Sequence, residues 1–257
     1  MRAGRPSRCA HAALLAGLLA LPACATRGPD PWEPVNRPVF GFNEGVDRYA
    51  LEPVARGWEF AVPEVVQTGV DNFLDNLDQP MVFANDLLQG KPVAAAQDVA
   101  RFAVNTTAGV LGFVDVATRI GIPGHEEDFG QTLGVWGIPA GPYVVLPLLG
   151  PSSVRDTLAW PVDAASQVHR WFIPGWVSWT LLGIDVVNTR AAFLEEVAEN
   201  RREALDYYAF VRNAYLQNRE QRIRDGAGTD EAEDDLYYLD EIDEGEPGPG
   251  DAAGPDE

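Results

Sequence analysis

Cysteine, histidine and alternating β patterns are scarce in this 257-residue chain, and each shortage excludes a class of site. The two cysteines, Cys9 and Cys24, both fall in the first tenth of the chain, so the body holds neither a disulfide framework nor a Cys-ligated metal. The body has two histidines, His125 and His169. The first opens His125-Glu126-Glu127-Asp128, which is not the His-Glu-x-x-His of a zinc protease. There is no Gly-x-Ser-x-Gly elbow, since Ser152 and Ser153 follow Gly-Pro, and no glycine-rich loop has the Walker or Rossmann arrangement. Glu126 with Asp128, or Asp71 with Asp75, could be paired as acid and base, but surface solvation explains them better. The chain therefore asks for no enzyme: no catalytic residue, no metal and no cofactor is expected. Period-2 runs are missing apart from Tyr143–Leu146, which argues against an extensive sheet.

Basic residues are also unevenly lacking. The formal net charge is −20, which argues against nucleic acid as a partner. Fourteen of the 39 acidic residues follow Arg224 and no basic residue does, which leaves 25 acidic against 19 basic upstream, a net of −6. Residues 225–257 are acidic, rich in Gly and Pro and poor in apolar residues, and are expected to be a disordered tail. Leu236-Tyr237-Tyr238-Leu239 is an apolar island within it.

What is present begins with a processing signal. Arg2, Arg5 and Arg8 precede the short apolar run Ala10–Leu21, too short to span a bilayer as a helix. Leu21-Pro22-Ala23-Cys24 then resembles the bacterial lipoprotein box. The resemblance implies removal of residues 1–23 and acylation of Cys24. With two or more acyl chains, anchoring is effectively stable at ~0.8 kcal/mol per buried CH₂. Ala25, where some bacteria place an aspartate for inner-membrane retention, favours the outer membrane. Residues 24–34 read as a Pro-rich, lipidated tether, and residues 35–224 as one helical domain.

That domain reads as short helices punctuated by Pro and Gly. Val39, Phe42, Val46 and Tyr49 form one apolar stripe, broken near Pro53. Val66, Val70, Phe73 and Leu77 form another that ends before Pro80. Pro80 then opens a helix through Leu88 closed by Gly90. Val93, Ala96, Ala100, Val104 and Thr107 follow, and Asp115 is placed to cap Val116–Ile120. Taken alone, such stripes are usually core. Phe129–Val154 stands apart: it has no charged side chain until Arg155, yet five glycines and four prolines forbid one smooth helix. Trp171–Ile184 is a second uncharged run, with Trp171, Trp176 and Trp179 suited to a membrane interface.

A set of motifs in fixed order carries a resemblance. Asp30-Pro-Trp-Glu-Pro-Val-Asn36-Arg37, Phe40-Gly-Phe42-Asn43, Arg101-Phe102-x-x-Asn105-Thr106-Thr107, Gly112-Phe113-x-Asp115, Glu127-Asp128-Phe129-Gly130-Gln131-Thr132-Leu133-Gly134, Gly141-Pro142-Tyr143, Leu146-Pro147 and Gly150-Pro151-Ser152-x-x-Arg155-Asp156 resemble the VacJ/MlaA family of outer-membrane lipoproteins. The resemblance runs from Asp30 to about Ile223. It implies an all-α, ring-like protein in the inner leaflet of the outer membrane with a central amphipathic channel. It also implies phospholipids as cargo, an outer-membrane trimeric porin beside it, a periplasmic lipid-binding carrier as acceptor, and no covalent chemistry. On this reading Gln131, Thr132, Gly134, Gly141, Tyr143, Pro147 and Gly150 are candidate channel-lining or hinge residues, and Asn36, Phe42, Asn43, Arg101, Asn105 and Asp115 are family motif positions. A lining without charge would let a headgroup pass without holding it. The rival from another class is a structural adaptor that tethers a porin; a phospholipase would need Ser152, Ser153 or His125.

Overall fold

A computed structural model describes residues 30–224. The signal 1–23, Cys24 with the start of the tether, and the tail 225–257 lie outside the described residues.

Proline shapes the first elements without ending them. Helix α1 (Glu33–Val46) passes through a π-helical turn, Asp47–Leu51, directly into α2 (Glu52–Ala61). The break expected at Pro53 is absent. The π turn widens the backbone, with Glu52 N–H bonding the Asp47 carbonyl five residues back, where Pro53 has no N–H to give. A true stop comes at Val62, held extended before Pro63. Helix α3 then runs 26 residues, Glu64–Gln89, and carries Pro80 in its interior, where two helices were expected. Its long packing against α4 (Pro92–Thr107) offsets a proline cost of ~3 kcal/mol. Gly90 at φ 79° ends α3 in a left-handed cap, as expected.

Asp115 caps α5 (Val116–Arg119) by accepting from Thr118 N, and Asp128 caps α6 (Phe129–Val135) through Gln131 N. A hairpin follows: β1 (Tyr143–Leu146) pairs antiparallel with β2 (Gly150–Ser153), Tyr143 opposite Ser153. Ser153 then caps α7 (Val154–Ser166). A 3₁₀ turn at Val168–Trp171 leads to α8 (Gly175–Ala192), α9 (Leu194–Glu203) and α10 (Tyr207–Arg224). The fold is all-α but for this hairpin. Among the described residues, no helix is long and apolar enough to cross a membrane.

A two-stranded hairpin is marginal alone, and two asparagines on one face of α1 hold this one. Asn36 donates to the Tyr143 carbonyl and accepts from Val145 N, at 2.9 and 3.0 Å. Asn43, two turns on, donates to the Leu146 carbonyl and accepts from Leu148 N, at 2.9 and 2.8 Å. Asn36 also donates to the buried Asp30 carboxylate, which Tyr208 of α10 engages from the other end of the chain. Packing therefore reaches back to Asp30, upstream of the boundary at residue 35.

The polarity of the body is inverted. Among the described residues, ten buried side chains are hydrophobic and seventeen are polar or charged. No residue of the apolar stripes expected as core is buried: Phe42, Tyr49, Val66 and Val93 are exposed and most of the others half-buried, while Phe60, Val65, Leu158 and Phe172 are exposed as well. The small apolar clusters are local, one of Ala55, Ala191 and Leu194 under Trp58, one of Tyr143, Val145 and Tyr208. Inside lie Asn76, Gln79, Asn85 and Asp86 of α3 and Asp98, Arg101 and Asn105 of α4, all but Asp98 bonded or lining a cavity. Chains that sit in lipid gather polar groups inward and leave apolar ones outside.

Candidate functional site

The inward polar faces of α3 and α4, with the segment before α6, enclose an open cavity of about 480 Å³. Residues 75, 78, 79 and 82 fall on one face of α3 by helical spacing, and 101 extends the wall from α4. Arg101 is the anchor of the far wall. It donates to Asp115 at 3.0 Å, to Thr118 Oγ1 at 2.9 Å and to the Ile122 carbonyl. Asn105 completes this corner, donating to Asp115 and accepting from Ala117 N. Gly124 lies against the Arg101 guanidinium, where a Cβ would come within 2.8 Å. So three motif positions, Arg101, Asn105 and Asp115, form one network.

The wall is charged. Asp75 is reached by water yet enclosed by protein and faces Glu126, Asp71 and Asp78, and burial with that repulsion pushes its carboxyl up to about 6. Burial also raises Asp78. Deeper in, His125 Nε2 lies 2.8 Å from Asp86 Oδ2, a bond that raises the imidazole. Burial and the neighbouring Asp86 push Asp98 up to about 7. Lys91 and Gln89 hold Glu127 at 2.5 and 2.6 Å, and Arg222 reaches Glu126 at 2.5 Å. Burial alone would raise Asp115, but bonds from Thr118, Asn105 and Arg101 take it down to about 2.

Of the seven candidate lining or hinge residues, Gln131 is the one on this wall; its amide bonds the Glu126 carbonyl and Asp128. Thr132 is fully buried and bonds Asn85 and Gln89. Tyr143 lies in the aromatic cluster with Tyr208 and Tyr215. At Gly134 a Cβ would come within 2.7 Å of Ile223, so this glycine admits α10 close to α6. Gly141 and Gly150 have φ of 71° and 83°; the first precedes the hairpin and the second opens β2, with Pro147 in the turn between the strands. Phe42 is exposed, while Asn36 and Asn43 hold the hairpin. Neither serine is placed as a nucleophile beside His125: Ser153 Oγ caps α7, and Ser152 Oγ pairs with Thr157.

Reading motifs missed Asp78, Asp86 and, on α4, Asp98. Their signal was the polar stripe at helical spacing along α3 and α4, which an apolar-stripe search passes over.

Comparison with known proteins supplies the rest. The MlaA lipoprotein family matches residues 28–222. The Haemophilus influenzae protein named "Intermembrane phospholipid transport system lipoprotein MlaA" is 37% identical over 230 residues, covering 82% of this chain and 89% of that one. The Escherichia coli K12 protein of the same name is 38% identical over 217 residues, covering 80% and 85%. A solved structure described as "Structural basis for maintenance of bacterial outer membrane lipid asymmetry" superimposes with a TM-score of 0.64 at 33% identity, covering 76% of this chain and 98% of its own. The chain is a member of the MlaA lipoprotein family.

Proposed function

We propose that this protein is an outer-membrane lipoprotein, anchored through Cys24, that removes mislocalised phospholipids from the outer leaflet and passes them to a periplasmic lipid-binding carrier. It works beside a trimeric porin and keeps the membrane asymmetric. The observation that carries this reading is the inverted polarity: a wet, charged cavity inside a body whose exterior bears exposed Phe, Leu, Val and Trp. A phospholipid needs both surfaces at once. Its headgroup loses several kcal/mol if stripped of polar partners, and its tails gain nothing from water. The helices form a ring in one leaflet, and the cavity is the polar half of a channel through it. Its wall is rich in carboxylates, so a phosphate headgroup is passed along instead of being held. The reading requires no covalent step. The names of the two curated relatives support the same cargo.

The test is the phospholipid content of the outer leaflet in cells lacking the chain. It should rise, fall back on complementation with the full sequence, and stay high with Cys24→Ser. A porin tether without lipid handling would leave outer-leaflet phospholipid unchanged on deletion.

A further inference from the structure

We propose that Asp86 and Asp98 share one proton at neutral pH, and that this proton clasps α3 to α4 behind the cavity wall. Asp86 comes from α3 and Asp98 from α4, and both are buried, at 0% and 1% exposure. Their carboxyl groups lie within hydrogen-bonding reach of each other. Among the described residues, neither oxygen of Asp98 has a donor, and nor has Asp86 Oδ1; Asp86 Oδ2 is engaged by His125 Nε2 at 2.8 Å. Buried carboxylate oxygens without a partner are rare and costly. Two ionised carboxylates side by side also repel, and such pairs keep a proton between them. Once protonated, one carboxyl has an O–H to donate and the other accepts it. A single proton thus turns a repulsion between two helices into a hydrogen bond.

The charges packed around the pair call for the same proton. His125 sets one ring nitrogen on Asp86 and the other 3.8 Å from Asp98 Oδ1. The bond to Asp86, with the charges of Asp98 and Glu127 beyond it, raises the imidazole against its burial. The other cations are committed elsewhere. Lys91 and Gln89 take the two oxygens of Glu127, and Arg101 is held by Asp115, Thr118 and the Ile122 carbonyl. One imidazolium therefore faces two carboxyl groups. With a proton on the pair the three groups sum to zero; without it they bury one net negative charge, which is strongly unfavourable. Burial and Asp86 push the Asp98 carboxyl up to about 7, the direction that a shared proton requires. Above neutral pH the proton leaves, and the two carboxylates push α3 and α4 apart where His125 meets the cavity. This inference is independent of the cargo.

The experiment is equilibrium unfolding of the purified full-length protein in detergent across neutral pH, beside Asp98→Asn. A carboxyl raised on folding stabilises below its unfolded value and loses that contribution as pH rises through the folded one, here from 3.8 to about 7. His125, also raised, acts in the same direction. Over that window the unfolding constant of the unaltered chain should climb relative to that of Asp98→Asn by about tenfold per pH unit, the slope for one proton. The substituted amide offers Asp86 an N–H in place of the proton, so the variant should keep its midpoint in alkaline buffer where the unaltered chain loses it. If the variant fails to fold, nitrogen NMR of the His125 imidazole in the unaltered chain, assigned with the help of His169→Gln, decides the matter. It should show a second inflection as the neighbouring pair gives up its proton. Parallel pH profiles for the two chains, or a single inflection at His125, would each overturn the proposal.

Discussion

Asn36 is the residue on which most separate parts converge, since it bonds Asp30 and both N–H and C=O groups of β1. Asn36→Ala should cost roughly 1–3 kcal/mol for each buried partner left unsatisfied, read as a fall in the denaturant midpoint; Phe42→Ala, on the exposed face of the same helix, should stay within ~0.5 kcal/mol. Asp156 makes a pH prediction. Burial pushes its carboxyl up, but Arg219, Tyr215 and Arg155 outweigh that and bring it from 3.8 to about 2. A carboxyl lowered on folding stabilises fully above its unfolded value and loses that contribution as pH falls through the folded one. Stability should therefore fall from about pH 4 towards pH 2, and Asp156→Asn should flatten that part of the profile. The motif residues were legible as a set in the sequence, but apart from the Asp115 cap their roles were not. Asn36 bonds groups brought near only by the fold, and His125 meets Asp86 and Asp98 from other elements, so no local spacing could announce these contacts.

At the scale of elements, end signals read well and interior signals did not. The Gly90 and Asp115 caps are local chemistry and stand where expected. Pro53 and Pro80 read as breaks because propensity counts the missing donor; a π turn and a long helix contact absorbed the cost. β1 was visible, but its partner Gly150-Pro151-Ser152-Ser153 has no strand propensity, and the hairpin depends on asparagines from α1. Gly141 before it and Gly150 at the start of β2 both have positive φ. Gly141→Ala and Gly150→Ala together should strain the backbone by ~1–2 kcal/mol at each position, lower the thermal midpoint, and weaken lipid transport while the protein stays anchored. Unaltered transport in a folded double variant would mean the hairpin is packing alone.

For the whole molecule, the apolar pattern was legible and its direction was not. Helical stripes say which residues share a face, and only the buried Asn, Asp and Arg of α3 and α4 tell which face turns inward. The outward Trp176 and Trp179 on α8 make a partition prediction. A Cys24→Ser chain should still sediment with phospholipid vesicles, and Trp176→Asp with Trp179→Asp should release it, each aspartate costing on the order of 2–3 kcal/mol. An Asp75→Cys variant should react with a small hydrophilic thiol reagent and Tyr143→Cys should resist it, because the first faces the cavity water and the second lies among aromatic rings. Finally, the clasp of Tyr208 on Asp30 joins residues 178 apart, and Arg37 to Asp206 closes beside it at 2.5 Å. The first helix and its hairpin thus lack their seat until the last helix has been made. Closure of so long a loop comes late in folding and slows it. A form cut short before Tyr208 should therefore lack the seat of its first helix and hairpin, read as loss of a cooperative thermal transition and as capture by holding chaperones.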